Sequence, residues 1–86
     1  MDRIAAMRAF VRVVETGSFE RAAESLALSN AKVTRLIQGL EESLKVQLLR
    51  RTLDSAVLTA EGAGCYEGIV RFLTDLEDIE SRVRSS

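Results

Sequence analysis

The clearest pattern of hydrophobic and polar positions in this chain lies in the segment Ser29–Leu44. Its apolar residues follow one another at intervals of four, three and four, which places them in one stripe on a helix. These residues are Val33, Ile37, Leu40 and Leu44. The opposite face carries small residues, hydrogen-bonding groups and, towards its N-terminal end, positive charge. Such a helix is suited to the major groove of DNA, although taken alone the segment favours a solvated surface helix.

A helix is predicted ahead of this segment over Asp2–Thr16, because apolar residues recur there at spacings of three to four. The predicted inward residues are Ile4, Met7, Phe10 or Val11, and Val14. Gly17 suits the left-handed conformation that ends a helix, and Ser18 suits the N-cap of the next one. The first predicted helix therefore closes at Gly17 and leads directly into a second.

The second predicted helix is short and covers Phe19–Leu26. Its predicted inward residues are Phe19, Ala22, Ala23 and Leu26. Ala27 and Leu28 form a turn, and Ser29 caps the helix that follows. Two helices joined by about three residues, the second amphipathic with an exposed polar N-terminal end, are typical of a helix-turn-helix. The serines at the helix starts are interpreted first as caps, and a cap can also help to hold a phosphate.

The hydrophobic period changes after the third predicted helix. A short strand is predicted near residues 48–51, a turn at 53–55 and a return strand near 56–58. A hairpin beside a helix-turn-helix is a wing, whose tip would lie near the adjacent minor groove or the DNA backbone. Because Arg50 and Arg51 are neighbours on a strand, at least one of them must reach solvent or phosphate. The alternative for this pair is a solvated edge that prevents aggregation.

A long helix is predicted from Thr59, its cap, to about Arg84. Its apolar residues form two lines along the helix. Together the two lines make an apolar surface that is wider than packing against a single partner requires. One line comprises Tyr66, Ile69, Leu73, Leu76 and Val83, and the other comprises Cys65, Phe72 and Ile79. One side is expected to pack on its own domain and the other to pair with a second copy. The alternative, a single helix lying across a monomeric core, leaves the second line hard to cover.

The charge distribution singles out the middle of the chain. The net charge of −1 at pH 7 does not by itself indicate a nucleic-acid binder. Residues 29–52, however, carry a surplus of three positive charges, and residues 59–86 carry a deficit of three. A positive middle segment is the footprint expected of a small domain that grips phosphate with one face.

The composition argues against catalysis and metal binding. The chain has no histidine, which removes the commonest general base and the Ser-His-Asp triad. Its single cysteine, Cys65, lacks a second cysteine or a histidine with which to build a metal site. The 86 residues fit one globular domain, and no apolar run approaches membrane-spanning length. With no leader at its start, we expect a cytoplasmic protein without cofactor, metal or membrane contact.

The order of these features resembles the N-terminal DNA-binding domain of LysR-type transcriptional regulators. The resemblance covers practically the whole chain. It is carried by FVRVVETGSFERAAESLALS, then Val33-Thr34-Arg35-x-Ile37-x-x-Leu40-Glu41, then Leu48-Leu49-x-Arg51-Thr52, and finally Leu58-Thr59-x-x-Gly62. Many spaced matches in the right order are more specific than any single motif.

The resemblance implies a mainly α fold with two parts. Residues 1–58 would form a winged helix-turn-helix of three helices and a short β-hairpin, and residues 59–86 a linker helix for dimerisation. The partners would be double-stranded DNA and a second copy of the chain, with no small-molecule effector site within these residues. The candidate DNA-binding residues are Ser29, Asn30, Ala31, Lys32, Thr34, Arg35 and Gln38, with Arg50 and Arg51 on the wing. The candidate dimerisation residues are Tyr66, Ile69, Phe72, Leu73, Leu76, Ile79 and Val83.

The chain departs from the family pattern at positions that affect DNA contact. Asn30-Ala31 stands where Gln-Ser or Gln-Pro is usual, Lys32 where a small residue is common, and Leu36 where glutamine is frequent. Asparagine can still read adenine, and Lys32 can take guanine or phosphate. Asp54 lies in a wing that is usually basic, so it is expected to lower non-specific affinity.

Two functions therefore stand as alternatives. The first is sequence-specific DNA binding by a homodimer, and the second is a protein-interaction module that kept the fold for dimerisation. Arg35, Lys32 and Arg51 favour the first, whereas the acidic balance and the wing composition favour the second. Within the third helix the reading end is expected to be residues 29–38, because Glu41 and Glu42 would face phosphate with the wrong sign.

Overall fold

The computed structural model describes residues 2–85. Met1, the first residue of the predicted DNA-binding part, and Ser86, the last residue of the predicted linker helix, lie outside the described residues. The described part contains four helices and one antiparallel hairpin. In chain order the elements are α1 (Arg3–Thr16), α2 (Phe19–Leu26), α3 (Asn30–Leu44), β1 (Leu49–Arg51), β2 (Ala56–Leu58) and α4 (Ala60–Ser85). The predicted winged helix-turn-helix followed by a long helix is confirmed.

Side-chain caps set the helix starts. The side chain of Ser18 accepts a hydrogen bond from the amide of Arg21 at 3.2 Å, and that of Ser29 accepts one from the amide of Lys32 at 3.1 Å. Each cap satisfies an amide that has no partner inside its helix. Both serines therefore cap as predicted. Asp2, predicted to be helical, is instead the cap of α1.

Each of the first three helices ends at a residue whose backbone adopts the left-handed conformation. Gly17 takes this conformation after α1 with φ of 76°, as predicted. Ala27 after α2 and Lys45 after α3 adopt it without being glycine, at φ of 57° and 58°. A residue with a Cβ pays roughly 1 kcal/mol for this conformation. Backbone hydrogen bonds that close both helix ends offset part of that cost, since the amides of Leu28 and Val46 donate to the carbonyl oxygens of Ala23 and Glu41.

The predicted inward face of α1 was wrong in part. Four of its residues are buried, and Phe10 is the only one of them that had been predicted; the four are Ala6, Ala9, Phe10 and Val13. The other predicted residues are only half-buried; they are Ile4, Met7, Val11 and Val14. The reason is that α1 is the central helix and contacts α2, α3, α4 and β2. Small alanines on its innermost face let the neighbouring helices approach closely.

The stripe on α3 is confirmed except at its C-terminal end. Val33, Ile37 and Leu40 are buried against the core. Leu44 is 45% exposed, so its predicted burial was wrong. Leu36, three residues after Val33 and four before Leu40, is only 8% exposed and belongs to the buried stripe. Leu44 lies in the last turn of α3, just before the chain turns back at Lys45.

The long helix packs on the domain only along residues 60–76. Ile69 and Leu73 are buried in the core, and Cys65 packs against it as a partly buried residue. The ring of Tyr66 meets that of Phe10 edge to face, with the ring centroids 6.0 Å apart. From residue 77 to residue 85 every side chain of α4 is exposed. The last nine described residues of the helix therefore extend beyond the core.

Candidate nucleic-acid interface

The N-terminal half of α3 presents polar side chains to solvent. We call this surface the outer face of α3. It consists of Ser29, Asn30, Ala31, Lys32, Arg35 and Gln38, which are exposed, and Thr34, which is half-buried at its edge. The buried stripe on the other side of the helix holds this face outward, since α3 packs against α1 and α2. The structure therefore brings the predicted residues of this helix onto one surface.

The wing is a hairpin of two three-residue strands, closed by a tight turn. Leu49 pairs with Leu58 and Arg51 with Ala56. At the turn, the amide of Thr52 donates to the carbonyl oxygen of Ser55 at 2.8 Å, and the Thr52 hydroxyl accepts from the amide of Ser55 at 3.0 Å. The turn predicted at residues 53–55 is confirmed.

Both wing arginines reach the surface. Leu49 is buried, whereas Arg50 and Arg51 are exposed. Neighbouring residues on a strand point to opposite sides, and this two-stranded hairpin leaves both sides open beyond Leu49. The prediction that at least one arginine leaves the inward side is confirmed. At the turn Leu53 is fully exposed and Asp54 is exposed beside it.

The side chain of Arg51 joins three elements of the fold. Its guanidinium carbon lies 4.1 Å from the centroid of the Phe19 ring, at the start of α2. Its Nη1 donates a hydrogen bond of 3.2 Å to Oγ1 of Thr34 on α3. The sequence pattern predicts Phe19 only as a core residue, and no local pattern links it to Arg51. The contact needs residues 32 positions apart to meet, which only the folded chain provides.

Backbone hydrogen bonds fix the wing to the rest of the domain. The amide of Ala56 donates to the carbonyl oxygen of Gly17 at 3.0 Å. The amide of Thr59 donates to the carbonyl oxygen of Leu48 at 3.0 Å. The Thr59 hydroxyl donates to the carbonyl oxygen of Gln47 at 2.6 Å. The Thr59 hydroxyl also accepts from the amide of Gly62 at 2.9 Å, so it caps α4 as predicted. The hairpin is thereby held at both of its ends.

Glu41 binds backbone amides at the start of the wing. Its Oε2 accepts hydrogen bonds from the amides of Leu48 at 2.7 Å and Leu49 at 3.2 Å. The carboxylate therefore satisfies the backbone at the entrance to β1 and connects α3 to the wing. The sequence offered no sign of this role, because these amides lie seven and eight residues away. Glu42 is exposed, as expected.

Residues 2–85 lack the features of two other classes of site. No helix in this range is long and apolar enough to cross a membrane. The same range contains no group of three or more histidine, cysteine, aspartate or glutamate side chains placed to hold a metal ion.

Residues 4–63 match the family model described as bacterial regulatory helix-turn-helix protein, lysR family. An HTH-type transcriptional repressor of Pseudomonas aeruginosa is 38% identical over 98% of this chain and 26% of its own length. The HTH-type transcriptional regulator CrgA of Neisseria meningitidis is 46% identical over 86% of this chain and 25% of its own length. The chain thus spans about a quarter of the length of these curated relatives.

Solved structures share the whole fold. A CbnR DBD–DNA complex matches with a TM-score of 0.90 and 33% identity, covering 99% of this chain and 97% of that one. A complex of the BenM DBD with catB site 1 DNA also matches with a TM-score of 0.90, at 34% identity and covering 99% and 94% of the two chains. Full-length CbnR with its target DNA matches with a TM-score of 0.89 at 33% identity, covering 99% of this chain and 29% of that one.

Proposed function

The chain belongs to the LysR family of bacterial regulatory helix-turn-helix proteins, and from this we propose that it is a transcriptional regulator domain that binds specific double-stranded DNA. The observation that carries the proposal is the outer face of α3, which is polar, positive and flanked by the arginines of the wing. The solved complexes of similar domains with DNA support it. The chain acts as a homodimer, with α3 of each copy in a major groove.

The residues of the outer face divide by the chemistry of their side chains. Arg35 and Lys32 suit guanine, and Asn30 and Gln38 suit adenine, because these pairings match donors and acceptors in the major groove. Thr34 and Ala31 lie among them and suit close approach to base edges. Ser29 already caps α3, and its place at the helix start suits a nearby phosphate.

The wing contacts the DNA backbone beside the major groove. Arg50 and Arg51 are exposed cations on one short strand, and phosphate contacts from such residues position a domain without reading sequence. Asp54 at the exposed turn repels phosphate and lowers affinity for random DNA. The wing therefore contributes register and an affinity that does not depend on sequence, which Asp54 reduces.

The dimer forms through the part of α4 that its own domain leaves uncovered. Tyr66, Ile69 and Leu73 pack on this chain's own core, so they support α4 from within. The remaining candidates, which we call the α4 seam, are Phe72, Leu76, Ile79 and Val83. Their spacing of four, three and four is that of a coiled-coil seam, and Phe72 and Ile79 are 48% and 58% exposed. Residues 1–58 thus bind DNA and residues 59–86 mediate dimerisation, although the two parts share one hydrophobic core.

The relatives are transcriptional regulators, and the chain itself has a role in recognition and not in catalysis. We place it in the cytoplasm, where bacterial DNA is reached without crossing a membrane. No effector site for a small molecule is proposed within these residues. A protein-interaction module without DNA contact is the competing function, favoured by the acidic surface of α4 and by Asp54.

Titration of labelled DNA by the chain at several salt concentrations tests the proposal. Selection of bound sequences from random DNA supplies the specific duplex, and a scrambled duplex of the same length is the comparison. We expect anisotropy to show tighter binding to the selected duplex, and affinity that falls linearly on logarithmic axes as salt rises. A lack of salt-dependent binding even at low ionic strength would favour the interaction module.

The Arg35→Ala and Arg51→Ala variants are expected to differ in their effects on the two duplexes. Arg35→Ala should weaken binding to the selected duplex by about 1–3 kcal/mol and binding to scrambled DNA much less, because it removes a base contact. Arg51→Ala should weaken both about equally and lower the salt slope by about one, because it removes a phosphate contact.

The matched control for these variants is Arg84→Ala, which removes the same charge from the last turn of α4. It should leave affinity for both duplexes close to that of the wild type. Equal losses for Arg35→Ala and Arg51→Ala on both duplexes would contradict the proposed division between base and backbone contacts.

A further inference from the structure

The ring of Phe19 has two different surroundings. Phe19 is the first residue of α2 and only 8% exposed, so most of its surface packs into the core. The guanidinium of Arg51 covers another part of the ring, with its central carbon 4.1 Å from the ring centroid. A cation over an aromatic face at this distance is attracted by the negative charge of the π face. A ring held by the core thereby supports an exposed cation.

The hydrogen bond to Thr34 fixes the direction in which Arg51 extends. A guanidinium is planar and carries five N–H donors, of which the 3.2 Å bond to Oγ1 of Thr34 uses one. Stacking and this bond together restrain the side chain beside the outer face of α3. The other donors leave a fork of the kind that binds phosphate oxygens in pairs.

We propose that Phe19 is a positioning residue for DNA binding, which acts by holding Arg51 ready for a phosphate beside the groove that α3 enters. A free arginine side chain loses rotamer freedom when it binds, and a stacked one has lost much of it beforehand. Phe19 touches no DNA in this arrangement, and its effect passes through Arg51. The inference rests on the proposed DNA-binding function and adds a residue that the base-reading and phosphate contacts do not include.

A double-mutant cycle between Phe19 and Arg51 tests the inference. Phe19→Leu keeps an apolar side chain in the core and removes the aromatic face. In the wild-type background it should weaken binding to the selected duplex by about three- to fivefold, because the unsupported Arg51 side chain then loses its rotamer freedom only on binding. In the Arg51→Ala background the same change should alter affinity by less than about twofold, since the cation is already absent. Circular dichroism checks that each variant is folded at the titration temperature.

Conservative variants distinguish positioning from packing. Phe19→Tyr keeps the aromatic face and should bind within about twofold of wild type. Arg51→Lys keeps the charge but loses the planar fork, so it should lose about as much affinity as Phe19→Leu while its salt slope stays unchanged. If Phe19→Leu does not fold, the inference is decided by Arg51→Lys, and affinity equal to wild type would overturn it.

The outcomes separate this inference from the function on which it rests. If the wild-type chain binds DNA and Phe19→Leu weakens binding equally in both backgrounds, Phe19 acts only as a core residue and the inference fails. If the wild-type chain binds neither duplex at low salt, the proposed function fails first.

Discussion

The Gly62→Ala variant is expected to lose about 3 kcal/mol of its free energy of unfolding, because the added methyl group has no space to occupy. A Cβ on Gly62 would overlap the carbonyl oxygen of Leu48 and lie 2.9 Å from its carbonyl carbon. Leu48 is fully buried, and the same oxygen accepts the amide of Thr59. The methyl group would therefore push α4 away from the segment that enters the wing.

Gly64→Ala is the matched control, because a Cβ there meets nothing within 4 Å. It should raise the free energy of unfolding by roughly 0.5–1 kcal/mol, since alanine is the better residue inside a helix. Urea unfolding of both variants at one fixed protein concentration measures the difference, and fixed concentration matters because pairing contributes to stability. A Gly62→Ala variant as stable as the wild type would show that α4 does not approach Leu48 this closely.

The Phe72→Glu, Ile79→Glu double variant is expected to sediment as a monomer at concentrations where the wild-type chain is a dimer. Phe72 and Ile79 lie one heptad apart on the α4 seam and are both substantially exposed in a single copy. Burying a glutamate in an apolar seam without a partner is costly, so two of them should weaken association by roughly a hundredfold or more. Analytical ultracentrifugation over a range of concentrations measures this change.

Thr74→Glu, Ser81→Glu is the control for the dimer, because both residues are exposed and have the same seven-residue separation. Thr74 lies two residues after Phe72, and Ser81 lies two residues after Ile79. Two residues turn an α-helix by about 200°, so this pair lies on the side of α4 away from the seam. This variant should remain a dimer and show similar circular dichroism. A wild-type chain that stays monomeric at high concentration would rule out the proposed pairing.

The helix order and most helix boundaries were predictable because they depend on local chemistry. Ser18, Ser29 and Thr59 cap through amides only three residues ahead, and Gly17 adopts a conformation to which glycine is suited. Such contacts can be recognised in a short stretch of sequence. The predicted faces were less accurate, as Leu44 and Leu36 show. A periodic apolar stripe shows which face of a helix is buried. It does not show how far along the helix the packing against neighbouring elements extends.

The candidate interface was predicted in its residues but not in its supports. The outer face of α3 follows from the period of the helix. Neighbouring positions on a strand required only that one of the two arginines be exposed, and the structure exposes both. Glu41 had been interpreted as a repulsive charge, and its real partners are backbone amides at the start of the wing. Gly62 belongs to a motif that carried the family resemblance, yet the reason for glycine there is a contact with Leu48.

The sequence by itself determined the winged helix-turn-helix, the cationic outer face of α3 and the apolar excess of α4, because period, caps and charge are properties of neighbouring residues. The tertiary structure alone decided which part of α4 its own core uses, why Gly62 has no room for a side chain, and where Arg51 lies. The stacking of Arg51 on Phe19 and its bond to Thr34 join three elements that are distant along the chain. These elements are gathered around α1, which packs against α2, α3 and β2, the strand paired with β1.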